Sequence, residues 1–390
     1  MEIKNRLNSM LCAAMWLPLV FITTLNAQTP LPQTCAQAER QFKAAAAAEA
    51  RRDWENALAS YQEATCVAPA CAEAVVNLGV TYNRLNQPEQ AIESFKRAIT
   101  IKPKLSAAHL NLGITYFRAA HYELADQSLR TVLNSDPLNS QARLLLALSL
   151  IAREHFEEAA AQLEKSLAVN ADDATVLLAL GETYLRLRQY RKAVSHLERL
   201  AKLKPDSAKA RLRLGEALDN AGESERAIDE FRRAIILEAD LPDAHYALGY
   251  ALLKRGNLDE AILEFEREVK LNPRMLLASY QLGKTYLQRG KLDEAVAVLT
   301  KVVEAEPDFR PAFEALGQAR LKQGSVDEAI KMLERAVKLD PAWPDAHVLL
   351  GRAYMMAGRR DEAQKAFAEA RKLSEQERKR LEEKVSKPDR

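Results

Sequence analysis

All 13 glycines of this 390-residue chain fall at only two places in a frame of 34 residues. With units begun at residues 38, 72, 106, 140, 174, 208, 242, 276, 310 and 344, eight glycines occupy unit position eight, from Gly79 to Gly351. The other five, Gly222, Gly256, Gly290, Gly324 and Gly358, occupy position fifteen. Position twenty is alanine in all ten units, and position 32 is proline in seven. A fixed period of this length means that one supersecondary unit is stacked on copies of itself.

The sequence around these glycines reads as helix, where a glycine costs roughly 0.5–1 kcal/mol relative to alanine. The repetition implies a compensating role at each place. Position seven is leucine in nine units and position eleven is usually Tyr or Leu, which makes an apolar stripe at helical spacing beside the position-eight glycine. That glycine and the small Ala at position twenty let two helices approach closely. The position-fifteen glycine ends the first helix in a left-handed cap. The recurring "DEA" opens the second helix with carboxylates against its N-terminus, and proline stops it.

Leu at seven, Gly at eight, Tyr at eleven (Tyr82, Tyr116, Tyr184, Tyr286, Tyr354), Ala at twenty, Phe at 24 (Phe95, Phe231, Phe265, Phe367), Ala at 27 and Pro at 32 resemble the tetratricopeptide repeat. The resemblance spans residues 38–377 and implies an all-α, right-handed superhelical solenoid of antiparallel helix pairs, one elongated domain. Its ten units are 38–71, 72–105, 106–139, 140–173, 174–207, 208–241, 242–275, 276–309, 310–343 and 344–377. Departures are local. "KAAAAAEA" replaces the signature of unit one, which reads as a degenerate cap, and Ala171, Ala239 and Glu375 replace proline.

The ends are of another kind. Lys4 and Arg6, the apolar run "MLCAAMWLPLVFITTL" and a small residue at Ala27 have the order of a secretory signal peptide. Residues 1–27 are therefore expected to be cleaved off, leaving 28–37 as a linker and placing the chain in the periplasm or outside the cell. The alternative is a membrane anchor at residues 10–25, although 16 apolar residues are short for a span of about 20. Residues 378–390 read as a charged cap helix and tail.

Little in the chain suggests chemistry. The six histidines form no ligand pair at helical spacing and none has a neighbouring cysteine, so no metal site is expected. Phosphate-binding glycine loops and hydrolase motifs are missing from the sequence. With 56 basic and 54 acidic residues interspersed, the surface offers no footprint for nucleic acid. The reading is a non-catalytic scaffold with no cofactor and no small-molecule substrate, binding a protein or peptide. A structural component of an envelope secretion, pilus or polysaccharide-export assembly is the alternative.

The resemblance places binding on a concave groove formed by the first helices, at positions two, five, six, nine and twelve. Candidates there are Asn77, Val80, Leu110, Asn111, Ile114, Phe117 and Leu148 toward the N-terminus. Glu182, Lys209, Arg213, Glu216, Tyr246, Tyr250 and Lys284 follow. Position nine is expected to face outward most fully, so Val80, Ile114, Leu148 and Tyr250 should be exposed and Ile114→Asp or Leu148→Asp should spare the fold. Lys209 and Arg213 match only one part of a carboxylate clamp, and Asn77 and Asn111 match two rungs of an asparagine ladder that Leu145 interrupts. In an oxidising compartment two of Cys35, Cys66 and Cys71 should pair. Cys35–Cys66 is the first choice, because the antiparallel helices of unit one bring those ends together, with Cys35–Cys71 the competitor.

Overall fold

The computed structural model describes residues 32–386; the expected signal segment and the alternative anchor at residues 10–25 lie outside the described residues. No helix among the described residues is long and apolar enough to cross a membrane. No strand occurs among them either.

The helices divide into two compact units, residues 1–205 and 206–390. In the N-terminal unit a 3-10 turn, Gln33–Ala38, precedes α1 (Glu39–Ala50), α2 (Trp54–Val67), α3 (Ala72–Arg84) and α4 (Pro88–Ile101). It continues through α5 (Ser106–Arg118), α6 (Tyr122–Ser135), α7 (Ser140–Ala152), α8 (Phe156–Val169), α9 (Ala174–Arg186) and α10 (Tyr190–Leu203). The C-terminal unit begins with α11 (Ala208–Asn220), α12 (Ser224–Leu237), α13 (Ala244–Lys254), α14 (Leu258–Leu271) and α15 (Leu276–Arg289). It ends with α16 (Leu292–Ala305), α17 (Arg310–Lys322), α18 (Val326–Leu339), α19 (Pro344–Met356) and the longer α20 (Arg360–Ser386).

Each odd-numbered helix packs on the even one that follows, and within a unit each even helix packs on the next odd one. In the eight units that have it, the glycine at position eight is where the pair closes. A Cβ at Gly79 would lie 2.6 Å from Phe95 Cε1, and one at Gly283 would lie 2.5 Å from Leu299 Cγ. The position-24 side chain thus lies flat on the bare backbone of the first helix. Dispersion attraction across that ring or isobutyl group offsets the helix penalty of glycine. Position twenty closes the pair from the other side, and Ala57, Ala91, Ala193, Ala261 and Ala329 are all fully buried.

Position fifteen behaves differently in the two units. Gly222, Gly256, Gly290, Gly324 and Gly358 have φ between +76° and +86°, the left-handed conformation expected after a first helix. In the N-terminal unit the same turn is made by Arg52, Asn86, Ala120, Glu154 and Arg188, at φ between +55° and +63°. An L-residue with a large side chain is strained there, and only Asn among these enters the region readily. Glu154→Gly should therefore stabilise the N-terminal unit by about 1 kcal/mol, with the strain relief exceeding the glycine entropy cost. Denaturant unfolding checks this, and a destabilised variant would contradict it.

The repeats are also joined by polar latches that the sequence pattern does not announce. The hydroxyl of Tyr286 donates to Glu266 at 2.5 Å and that of Tyr354 to Glu334 at 2.7 Å, each reaching position 25 of the preceding unit. Tyr184 makes the same bond to Glu164. Burial and the facing carboxylate push the Tyr354 phenol up to about 12. At position four, His109 Nε2 sits 2.8 Å from the Pro103 carbonyl and His347 Nε2 sits 2.9 Å from that of Pro341. These histidines tie one repeat to the end of the one before.

The N-terminal end is stapled by the competing cysteine pair and not by Cys35–Cys66. Cys35 is bonded to Cys71, with 4.9 Å between their Cα atoms, and Cys66 is free and exposed. The reason is the face of α2 on which Cys66 falls. That helix buries Ala57, Tyr61, Ala64 and Thr65, and Cys66 falls outside this stripe and is exposed, whereas Cys35 and Cys71 are both buried. Cys71 instead caps α3, its Sγ accepting the Ala74 amide at 3.3 Å.

Candidate functional site: the inner face of the first helices

From α3 onward, odd-numbered helices contact the next odd helix within each unit, as α3 does α5, α15 does α17 and α17 does α19. They therefore form the inner face of the stack, and their side chains at positions five, six, nine and twelve line it.

In the N-terminal unit this face is closed. Ten consecutive residues of α3, Ala72–Thr81, are buried, as are Leu110–Phe117 of α5 and Leu145–Ile151 of α7. Val80, Ile114 and Leu148, expected to be exposed at position nine, have 0%, 1% and 4% of their surface accessible. That expectation is corrected. Val, Ile and Leu are short enough to be enclosed by their surroundings, and a charge at Ile114 or Leu148 would not spare the fold of the full chain. Leu110, Phe117, Asn77 and Asn111 are buried too. The Asn77 amide donates to the Tyr61 hydroxyl at 3.3 Å, so this rung is engaged inside the protein. Glu182, on α9, is half-buried.

In the C-terminal unit the face is open and chemically mixed. Position nine runs Tyr250, Lys284, Gln318 and Arg352 along α13, α15, α17 and α19. Tyr250 and Arg352 are exposed, and Lys284 and Gln318 are half-buried. Tyr246 stacks on Tyr250 with 6.2 Å between ring centroids. Tyr280 meets Phe309 edge-on at 5.1 Å, and the Lys284 ammonium stands 5.5 Å from the Tyr280 ring centroid. Arg310 lies 4.4 Å over the exposed Trp343 ring. Held aromatic faces with cations beside them are what a groove needs to grip a side chain and its carboxylates.

Nearer the start of this unit the charges are consumed internally. Arg213 is buried and its guanidinium bonds both oxygens of Glu216 at 2.9 Å, while Lys254 reaches Asp219 at 2.9 Å. Arg213 is thus not free to act as part of a carboxylate clamp, and Lys209 is half-buried beside it. The sequence candidates Tyr246, Tyr250 and Lys284 do come together on one accessible surface. Tyr280, which the register places on this face at position five, joins them; Gln318, Arg352 and Trp343 belong with them and were missed, and position nine was the signal for Gln318 and Arg352.

One histidine behind this surface carries a pH dependence. His245 Nδ1 is 2.6 Å from a Glu264 oxygen, and its Nε2 is 3.1 Å from the Ala239 carbonyl. Both partners favour the imidazolium, so the hydrogen bond to Glu264 above all raises the His245 pKa against the opposing effect of burial. Such a group stabilises the fold fully below the ordinary imidazole value of about 6.5, and loses that contribution as pH rises through its raised folded value. The melting temperature of wild type relative to His245→Gln should accordingly shrink on going from about pH 6 to about pH 9. A difference that grows with pH would contradict the assignment.

The only group of His, Cys, Asp and Glu ligand atoms close enough to hold a metal, among the described residues, is Cys35, Cys71 and Glu73. Both sulfurs are committed to the disulfide.

Helix pairs stacked on glycine and alanine contacts, with an inner face of variable side chains, define a helical-repeat interaction scaffold. The chain belongs to the tetratricopeptide repeat family. Profiles described as tetratricopeptide repeat match residues 320–381 and the overlapping segments 220–275, 246–308 and 280–347. The profile described as "Cilia and flagella-associated protein 70 C-terminal domain" matches residues 23–247. No curated protein matches significantly. Solved structures that are similar include MamA residues 41 to the end from Desulfovibrio magneticus RS-1, 27% identical, with a TM-score of 0.42, covering 43% of this chain and 96% of that one. MamA from AMB-1 is 31% identical, with a TM-score of 0.40, and covers 42% of this chain and 98% of its own. YrrB, described as "a TPR protein with an unusual peptide-binding site", is 22% identical, with a TM-score of 0.43, covering 48% of this chain and 96% of that one.

Proposed function

We propose that the chain is a non-catalytic scaffold that holds a protein partner through an extended peptide segment on the inner face of its C-terminal unit. The observation that carries this is the open row of Tyr250, Lys284, Gln318 and Arg352, flanked by Tyr246 and Tyr280. Exposed aromatic rings fixed by neighbours lose little entropy on binding and anchor interfaces, and cations in the same row select acidic side chains. The scaffold works outside the cytoplasm, its first 27 residues acting as an export signal cut after Ala27. The Cys35–Cys71 bridge supports this location, because such bonds persist in oxidising compartments.

Peptides selected from a displayed random library on the full chain test the binding face. Selected sequences should carry acidic and apolar residues. Tyr250→Ala and Lys284→Glu should each weaken them about tenfold, the effect of losing one interface anchor. Leu263→Ala, on the outer helix α14, should leave binding unchanged. Failure to enrich any peptide, or affinities indifferent to Tyr250 and Lys284, would refute the site.

A further inference from the structure

We propose that Cys35, Cys71 and Glu73 form a zinc site when the Cys35–Cys71 bridge is reduced, so that a metal ion holds the N-terminal end closed in place of the disulfide. The proposal concerns this end alone and stands apart from peptide binding by the C-terminal unit.

The first observation is convergence. One ligand atom from each of the three residues lies within 4.8 Å of the others, and all three side chains are buried. Cys71 and Glu73 come from the head of α3, and the 3-10 turn brings Cys35 to them. Only two of the three are near in sequence, so no ligand spacing announces the group.

The second is a buried carboxylate oxygen without a donor. Glu73 is 5% exposed. Its Oε1 accepts from the Lys102 ammonium at 2.9 Å, and its Oε2 faces Cys35 Sγ at 3.5 Å. A disulfide sulfur carries no hydrogen, so in the bridged form that contact gives the oxygen nothing to accept. A buried anion needs a cation or a donor beside it. Lys102 serves Oε1, and a metal between the sulfurs would serve Oε2.

Dimensions and charge agree. Zinc binds thiolate at about 2.3 Å and carboxylate oxygen at about 2.0–2.2 Å, with tetrahedral angles. Those lengths set sulfur and oxygen ligands about 3.6 Å apart, and two sulfurs about 3.8 Å apart. The first spacing matches the 3.5 Å between Cys35 Sγ and Glu73 Oε2. The second is shorter than the 4.9 Å between the two Cα atoms, and the opened thiolates reach it by side-chain rotation. Two thiolates and a carboxylate exceed the charge of Zn²⁺ by one, and Lys102 supplies the balance. The Ala74 amide donates to Cys71 Sγ at 3.3 Å, a supporting bond of the kind that steadies a metal ligand. Thiolate ligands favour zinc over magnesium or calcium.

The chemistry is thiol–disulfide exchange followed by metal binding. A dithiol gives two electrons and two protons to the Cys35–Cys71 bond and leaves as its own disulfide. Zn²⁺ then displaces both thiol protons to solvent, and water fills the fourth position. Bridge and metal exclude each other, because sulfurs bonded together are not thiolates.

Metal titration of the full-length Cys12→Ser/Cys66→Ser chain tests this, since Cys35 and Cys71 are then its only cysteines. Reduced with a dithiol and freed of it under argon, the chain should take up one equivalent of Zn²⁺ in competition with a chromophoric chelator. Co²⁺ in its place should give the absorption of a tetrahedral thiolate site. Zinc should slow amide exchange in α1 and α2 of the reduced chain. Glu73→Gln should weaken zinc about a hundredfold and Lys102→Met about tenfold, the range over which partners of a metal site act. Circular dichroism of the oxidised variants checks their folding, and if Glu73→Gln does not fold, Lys102→Met carries the decision. No zinc uptake by the reduced chain would overturn the proposal. Equal uptake by the oxidised chain would overturn it too, as the mark of an adventitious ion only. Unchanged affinity in the folded variants would leave two thiolates without the carboxylate, and would equally overturn it.

Discussion

Removing the Cys35–Cys71 bridge should release the first helix pair while leaving the rest of the chain folded. The bridge closes a loop with a sequence separation of 36, which corresponds to about 4 kcal/mol in the chain-entropy account. Unit one has the least to replace it. Its first helix carries "KAAAAAEA" in place of large side chains, and Phe42 is the one bulky residue that α1 buries. In a repeat stack stability is a sum of unit and nearest-neighbour terms, so the loss stays local. The expected result for Cys35→Ser/Cys71→Ser is faster hydrogen exchange throughout α1 and α2, with α5 onward unchanged. Serine at position 71 can still accept the Ala74 amide, so the variant isolates the bridge from the cap. Unchanged exchange in α1 and α2 would show that packing alone holds this end.

The second large effect belongs to the position-eight glycines. Gly283→Val should destabilise the C-terminal unit by roughly 3 kcal/mol, the upper part of the overpacking range. Its Cβ would stand 2.5 Å from Leu299 Cγ, the branch point of a fully buried side chain, which can move only if the whole isobutyl group changes rotamer in a packed core. The variant Gly283→Val/Leu299→Ala should recover part of the loss, because room appears where the clash was. Helix propensity argues in the opposite direction, since valine is a better helix former than glycine. A Gly283→Val protein as stable as wild type would therefore mean that close approach is not what the glycine provides.

These two cases show how far the sequence carries. The 34-residue period placed both helices of each unit, the close contact at positions eight and twenty, and the left-handed stop at fifteen, since each follows from one residue type under a local constraint. The left-handed Arg52, Ala120, Glu154 and Arg188 were not legible, because none of these residue types asks for that conformation and the stacked neighbours impose it. The tyrosine latches were hidden by spacing: Tyr354 and Glu334 are 20 residues apart, and only the docking of one repeat on another makes them partners. Cys71 prevailed over Cys66 through which face of α2 is buried, a distinction finer than knowing which helix ends are adjacent.

The groove was legible in position and not in exposure. Positions five, six and nine do line the inner face, and Tyr246, Tyr250 and Lys284 share one surface there. The periodicity of a helix says which way a residue points from its axis and nothing about what stands opposite. Val80 and Tyr250 share a register and differ from 0% to 40% exposed. Burial there depends on the length and polarity of the side chains across the groove, which vary freely along the chain.

A photo-crosslinking phenylalanine in place of Tyr250 tests the central claim most directly. Tyr250 is 40% exposed, so the aromatic replacement fits without disturbing the fold, and the same probe at Leu263, 53% exposed on the outer helix α14, gives the comparison. With the selected peptide bound, crosslinks should form at position 250 and be competed by unlabelled peptide, while position 263 stays silent. Crosslinks formed equally at both positions, or only at 263, would contradict binding on the inner face.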